Sequence, residues 1–148
     1  MDHYPAFGVY CYFAVGLVTL LFLLDGLSSV VRVRTKTAIN PEDVGRTAGA
    51  STKVVDEEVA AVQRATRVWR NAFANIVPFL IIAFLFVLTR VERRDALIYF
   101  SVFSGARVLH AVVYMLGKQP WRTIFFVVGQ AATLGIAYHV VRYAAALP

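Results

Sequence analysis

The sequence predicts an all-α, integral membrane four-helix bundle, and three observations carry that expectation. Of 148 residues, 59% are hydrophobic and only 16% are charged, where a soluble domain has about 45–50% and about 25%. Four segments are long and apolar enough to cross about 30 Å of hydrocarbon, which takes roughly 20 residues of helix. The basic residues gather mostly between these segments, as they do on the cytoplasmic side of membrane proteins. Backbone groups in lipid have no water to bond, so each span has to be helical. Cys11 is the only cysteine, which excludes a disulfide framework or a zinc finger. An aromatic content of 14% argues against disorder. The length suits one bundle, read as a single domain over residues 1–148, with no room for a separate soluble catalytic domain. A net charge of +6 suggests nucleic acid on a soluble protein. Here the topological reading is plainer, and no nucleic-acid partner is expected.

The first span is expected at about residues 5–31, interrupted only by Asp25. It lacks a basic start and a small-residue cleavage site, so it reads as a retained helix rather than a signal peptide. A loop of about 36 residues follows, rich in charge, Gly, Ser and Thr. Within it Asn40-Pro41 signals a turn, and Pro41-Glu42-Asp43 suits the start of a short helix. From Val54 to Arg67, Val and Ala alternate with charges at helical spacing, which extends the second helix outward from its apolar part. That second span is expected over about 62–88, and it carries Arg70, Asn71, Asn75 and Pro78. The third, about 96–116, carries Arg107 and His110, and the fourth, about 123–143, carries Gln130 and His139. The last two connections are short, so helices two, three and four should be antiparallel neighbours.

Orientation follows from the loops. Arg32, Arg34, Lys36, Arg46, Lys53, Arg64, Arg67, Lys118 and Arg122 lie on one side, against Arg90, Arg93, Arg94 and Arg142 on the other. The excess places the first and third loops in the cytoplasm and both termini on the opposite side.

Polar side chains at membrane depth are costly and face a bundle interior or a wet cavity. Spacings of three and four put Arg67, Arg70, Asn71, Ala74, Asn75 and Pro78 on one stripe of helix two. Arg107, His110 and Tyr114 share a face of helix three, and Arg122, Phe126, Gln130 and Thr133 share one of helix four. All three stripes lean toward the cytoplasmic half, which implies a polar pocket opening there. Each also has a plain structural reading. Arg67 and Arg70 suit snorkelling to lipid phosphates. Tyr114 and Trp121 suit an interfacial belt, Asn71, Asn75 and Gln130 suit helix–helix hydrogen bonding, and His110 alone suits a core residue. Arg107 is different. It lies roughly 14 Å of helix rise from Leu116, too deep for easy snorkelling, and needs an anionic or carbonyl partner. His3, His110 and His139 fall on different elements with no metal-ligand spacing, so no metal is expected. No GxSxG and no Gly-rich phosphate loop are present. What remains is a cationic, tyrosine-bearing pocket suited to a small anionic ligand beside an apolar one.

Three blocks of residues resemble the family of membrane-associated proteins in eicosanoid and glutathione metabolism. The first is Arg32-Val-Arg34 with Ala38-Ile-Asn40-Pro41-Glu42-Asp43. The second is Arg64-x-x-Arg67-x-x-Arg70-Asn71 with Asn75-Ile-Val-Pro78-Phe79. The third is Arg107-x-x-His110-x-x-x-Tyr114 with Gly117-Lys118, Pro120-x-Arg122-Thr123 and Gln130. The resemblance covers nearly the whole chain and looks closest to the microsomal glutathione transferase and prostaglandin E synthase branch. It implies a homotrimer of four-helix protomers, with glutathione held between neighbours near the cytoplasmic face. It further implies that Arg32, Arg70, Asn71, His110, Tyr114, Arg122 and Thr123 bind glutathione, or another low-molecular-weight thiol. Arg122 would stabilise the sulfur, Tyr114 would assist, and Asp43 would support Arg122. The lipophilic partner would be an electrophile dissolved in the bilayer, meeting the sulfur between helices one and four.

The chain departs from the family pattern at Ala74, where a glutamate is usual, at Ala72, where an aspartate is usual, and at Phe126, where the prostaglandin synthase has tyrosine. Charge balance suggests that Asp25 replaces the lost carboxylate and pairs with Arg70 or Arg107. The leading functional expectation is a glutathione-dependent transferase or peroxidase. The alternatives are a non-catalytic lipid-binding or scaffold protein, a glutathione-dependent isomerase, and, with least support, an ion pathway through Asp25, Arg107 and His110.

Overall fold

The computed structural model describes residues 3–44 and 51–148; Arg46, counted above among the loop charges, lies outside them. Four long helices dominate: α1 (Phe7–Thr35), α2 (Ala60–Leu88), α3 (Arg93–Met115) and α4 (Trp121–Ala145). All four are long and apolar enough to cross a membrane. α1 runs four residues beyond the expected limit at residue 31, through Arg32 and Arg34. Its end is set not by hydropathy but by Lys36, whose left-handed backbone (φ 52°) turns its N–H onto the Arg32 and Val33 carbonyls. The two arginines in that last turn also complement the negative end of the helix dipole.

A short parallel strand pair follows, β1 (Thr37–Ala38) with β2 (Lys53–Val54). The Lys53 N–H donates to the Lys36 carbonyl and the Val55 N–H to the Ala38 carbonyl, both at 2.9 Å. This clip fastens the start of the loop to the stretch that feeds α2. It also corrects one expectation: residues 54–59 do not extend the second helix, which begins at Ala60. The Pro41-Glu42-Asp43 turn forms as a single 3-10 turn.

α1 packs on α2 and α3, and α4 packs on α3 and α2, while α1 and α4 have no extended contact within the chain. The core sits where α2 and α3 meet. Phe79 and Phe103 stack with ring centroids 3.5 Å apart, and Phe100 meets Phe79, Phe86 and Phe13 edge-on. The outward faces of α1 and α4 present large apolar side chains such as Tyr12, Phe22, Leu23, Leu134 and Tyr138. That is the inverse of a soluble bundle and what a lipid solvent or a neighbouring copy requires.

Asp25 is exposed on α1 and forms no ion pair with Arg70 or Arg107, so the expected pairing is not made within the chain. The reason is angular. Leu17, Leu24 and Ser28 take the buried face of α1, and Asp25 is turned toward its edge.

Candidate functional site

The end of the bundle that carries the α1–α2 and α3–α4 connections gathers the polar residues. Three adjoining cavities hold them. The largest, about 740 Å³, is lined by Arg32 at the end of α1, by Glu57 and Glu58 before α2, and by Gln63, Thr66, Arg67 and Arg70 on α2. Arg67 also lines a second cavity of about 310 Å³, with Arg64, Tyr114 and Arg122. Tyr114 and Arg122 then line a third of about 240 Å³, with Asn71, His110, Thr123 and Phe126. Shared residues thus join the three into one cationic crevice, of a size ordinary for a small-molecule site.

Each side chain has a local reason for its place. Consecutive helical residues point about 100° apart, so Arg70 opens toward the α1 side while its neighbour Asn71 faces α3 and α4. The expected single stripe on helix two is therefore split across two cavities. Asn71 Oδ1 is buried with no hydrogen-bond partner among the described residues, and its backbone carbonyl accepts from Asn75 Nδ2 at 2.7 Å. On α3, His110 and Tyr114 are one turn apart, with ring centroids at 5.6 Å. On α4, the Arg122 guanidinium lies over the Tyr114 ring, 4.7 Å from its centroid, a cation–π arrangement that fixes both groups. With its amide oxygen turned toward the guanidinium, Gln119 accepts from Arg122 Nη2 and Nε at 2.6 and 3.1 Å. Arg122 keeps its remaining N–H edge for a ligand.

Arg32 is held by Glu58. Its Nε donates to Glu58 Oε1 at 2.9 Å, and its Nη2 donates to the same oxygen. Gln63 steadies the neighbourhood: Nε2 donates to the Glu58 carbonyl at 2.8 Å, and Oε1 accepts from Arg67 Nη2 at 2.8 Å. Glu58 carries no periodic or motif signal in the sequence, and reasoning from sequence missed it. The β1–β2 clip brings it back to the end of α1, and that long-range pairing is invisible in local pattern.

Of the residues expected at the site, Asn71, His110, Tyr114, Arg122 and Thr123 come together around one cavity, and Arg32 and Arg70 share the adjoining one. Asp43 does not join them within the chain. It lies in the turn after α1, where its Oδ2 accepts from Asn40 Nδ2 at 3.3 Å, and the support it was expected to give Arg122 comes from Gln119 and Tyr114.

Beneath Phe126 lies Arg107, 2% exposed. Its guanidinium is sandwiched between the Phe103 and Phe126 rings at 5.3 and 5.4 Å, and Nη2 donates to the Phe126 carbonyl at 3.2 Å. Of the two partner types the sequence allowed, the carbonyl is the one present. Gly129 makes the room: a Cβ there would lie 2.8 Å from Arg107 Nε and 3.0 Å from Cζ.

Gly117 is the second glycine with a structural duty. It holds φ 68° at the end of α3, and a Cβ would meet Arg64 Nη1 at 2.9 Å. Gly117→Ala is therefore expected to lower stability by about 1 kcal/mol. A thermal-unfolding midpoint in detergent checks it.

The MAPEG family model matches residues 10–142. Microsomal glutathione S-transferase 1 of Rattus norvegicus is 34% identical over 144 residues, covering 96% of this chain and 92% of that one. The Mus musculus protein of the same name is 33% identical over 132 residues, covering 88% and 85%. Prostaglandin E synthase of Canis lupus familiaris is 32% identical over 131 residues, covering 87% and 83%. With four apolar helices and a family match over nearly its whole length, the chain is an integral, multi-pass membrane protein of the MAPEG family.

Proposed function

We propose that this protein is a glutathione-dependent transferase or peroxidase acting on lipophilic electrophiles from within the bilayer. The observation that carries the reading is the convergence of Arg122, Tyr114, His110, Asn71 and Thr123 on one cavity that joins the cavity of Arg32, Arg67 and Arg70. Relatives named as glutathione S-transferases support glutathione as co-substrate. The residues fit that molecule chemically. It carries two carboxylates and a thiol, and guanidinium forks bind carboxylates bidentately. Unpartnered acceptors on Asn71 and Glu58 suit its N–H groups.

In this reading Arg32 and Arg70 hold the carboxylates, and Asn71, His110 and Thr123 orient the backbone. Arg122 stabilises the sulfur as its anion, which lowers the thiol pKa as a neighbouring cation does for cysteine. Tyr114, pinned beneath Arg122, donates its phenolic hydrogen bond to the sulfur or to charge developing on the electrophile. Surroundings of low dielectric strengthen the guanidinium's effect over its value in water. The sulfur attacks the electrophilic atom, and the leaving group departs with the bonding electron pair.

The assembly belongs to the proposal as well. α1 and α4 do not pack together within the chain, so an electrophile path between helices one and four needs two copies side by side. A homotrimer with both termini on the non-cytoplasmic side, and the site near the cytoplasmic face, meets that requirement. Asp43, which lines none of the three cavities within one chain, is assigned to support Arg122 only across such an interface.

Equilibrium binding of glutathione to the detergent-purified protein tests the reading. Saturable binding at or below millimolar concentration is expected. No binding at that level would favour the scaffold reading, which the missing carboxylate at position 74 supports. A glutathione-dependent isomerase is the second catalytic reading, favoured by the relatives named prostaglandin E synthase. Product analysis separates the two: an isomerase returns its thiol unconsumed.

A further inference from the structure

Glu58 lines the cationic cavity with one carboxylate oxygen left over. Both of its hydrogen bonds from Arg32 fall on Oε1, while Oε2 is buried with no partner among the described residues. Gln63, which lines the same cavity, already donates Nε2 to the Glu58 backbone carbonyl. A buried charged acceptor without a donor costs more than a hydrogen bond is worth, so Oε2 is a position that asks for an N–H. On the other side of the ion pair, Arg32 uses Nε and Nη2 and leaves Nη1 without a hydrogen bond among the described residues, with Arg70 lining the same cavity. One wall therefore offers a carboxylate oxygen for a cation and guanidinium N–H groups for an anion. An α-amino acid head, ammonium beside carboxylate, has that pair of charges.

We propose that Glu58 Oε2 receives the α-ammonium of the glutamyl end of glutathione while Arg32 and Arg70 take its α-carboxylate, making Glu58 the residue that selects a zwitterionic thiol. The proposal rests on the glutathione reading above and deepens it. It also accounts for Ala74: the carboxylate absent from α2 is supplied from the segment before it, held in place by the β1–β2 clip. Arg32 and Glu58 stay paired when the head binds, because the two partners use opposite edges.

The test compares glutathione with its des-amino analogue, in which hydrogen replaces the α-amino group, by calorimetric titration of the full-length protein in detergent. Wild type should prefer glutathione by about tenfold or more, the range of a charge-assisted hydrogen bond. Glu58→Gln should bind the two ligands alike, and Glu92→Gln, at an exposed position before α3 that lines none of the three cavities, should keep the wild-type preference. If wild type binds both ligands equally, the proposal fails and the glutathione reading stands. That comparison needs no variant, so it decides even if Glu58→Gln does not fold. If Glu58→Gln weakens both ligands by one factor and keeps their ratio, Glu58 merely positions Arg32 and the proposal is overturned. If neither ligand binds wild type, the glutathione reading falls and takes this proposal with it.

Discussion

Arg122→Ala is expected to lower the rate of glutathione conjugation at saturating glutathione by about 100- to 1000-fold, the range seen when a preorganised stabiliser of reacting charge is removed. The structure makes this a specific expectation. Arg122 stacks on Tyr114 at 4.7 Å and is clamped by Gln119 at 2.6 and 3.1 Å, so its position is fixed before any ligand arrives. A fixed guanidinium needs no reorganisation when the thiol ionises, and this makes it effective. The loss should appear in kcat more than in KM, because the carboxylate contacts assigned to Arg32 and Arg70 remain. Arg122→Lys keeps the charge but loses the planar fork, so it should recover only part of the rate. Equal activity in wild type and Arg122→Ala would remove Arg122 from the chemistry.

Gly129→Ala is expected to destabilise the protein by about 1–3 kcal/mol, the usual cost of forcing atoms into a filled core. The three heavy atoms nearest the built Cβ all belong to the Arg107 guanidinium. That group cannot move aside freely, being held between Phe103 and Phe126 and bonded to the Phe126 carbonyl. The discriminating experiment is the double variant. With Arg107→Met in place the guanidinium is gone, and adding Gly129→Ala should then cost little. Arg107→Met itself should be far milder than the loss of a buried ion pair, since no carboxylate is left unpartnered. Unfolding midpoints of the wild type, both singles and the double give the coupling directly. Additive costs would show that Gly129 is not there to make room for Arg107.

These two residues also show what the sequence made legible. Arg122 was readable because a cation at the start of a span, one turn from Phe126 and in a matching block of residues, stands out against an apolar background. Arg107 was readable as buried but not as to its partner. Only packing reveals that two phenyl faces and a carbonyl serve it, while Asp25 on α1 is turned away. The four spans were legible because the membrane imposes length and composition, but their ends were not. Lys36 and the β1–β2 clip fix the end of α1 and the start of α2 through backbone geometry that hydropathy does not report. The clip is also why Glu58 went unseen, since its meeting with Arg32 depends on contacts 26 residues apart. Arg70 and Asn71 are neighbours in sequence and both were expected at the site, yet adjacent helical positions diverge, and they line different cavities of the same crevice.

Ultraviolet difference absorbance of the glutathione thiolate, followed as the tripeptide is titrated into the purified membrane protein at neutral pH, tests most directly whether the crevice holds sulfur in ionised form. A saturable thiolate signal that tracks binding and disappears in Arg122→Ala is the expected result. Glutathione bound without any thiolate signal, or a signal undiminished in Arg122→Ala, would contradict the role assigned to the Arg122 guanidinium.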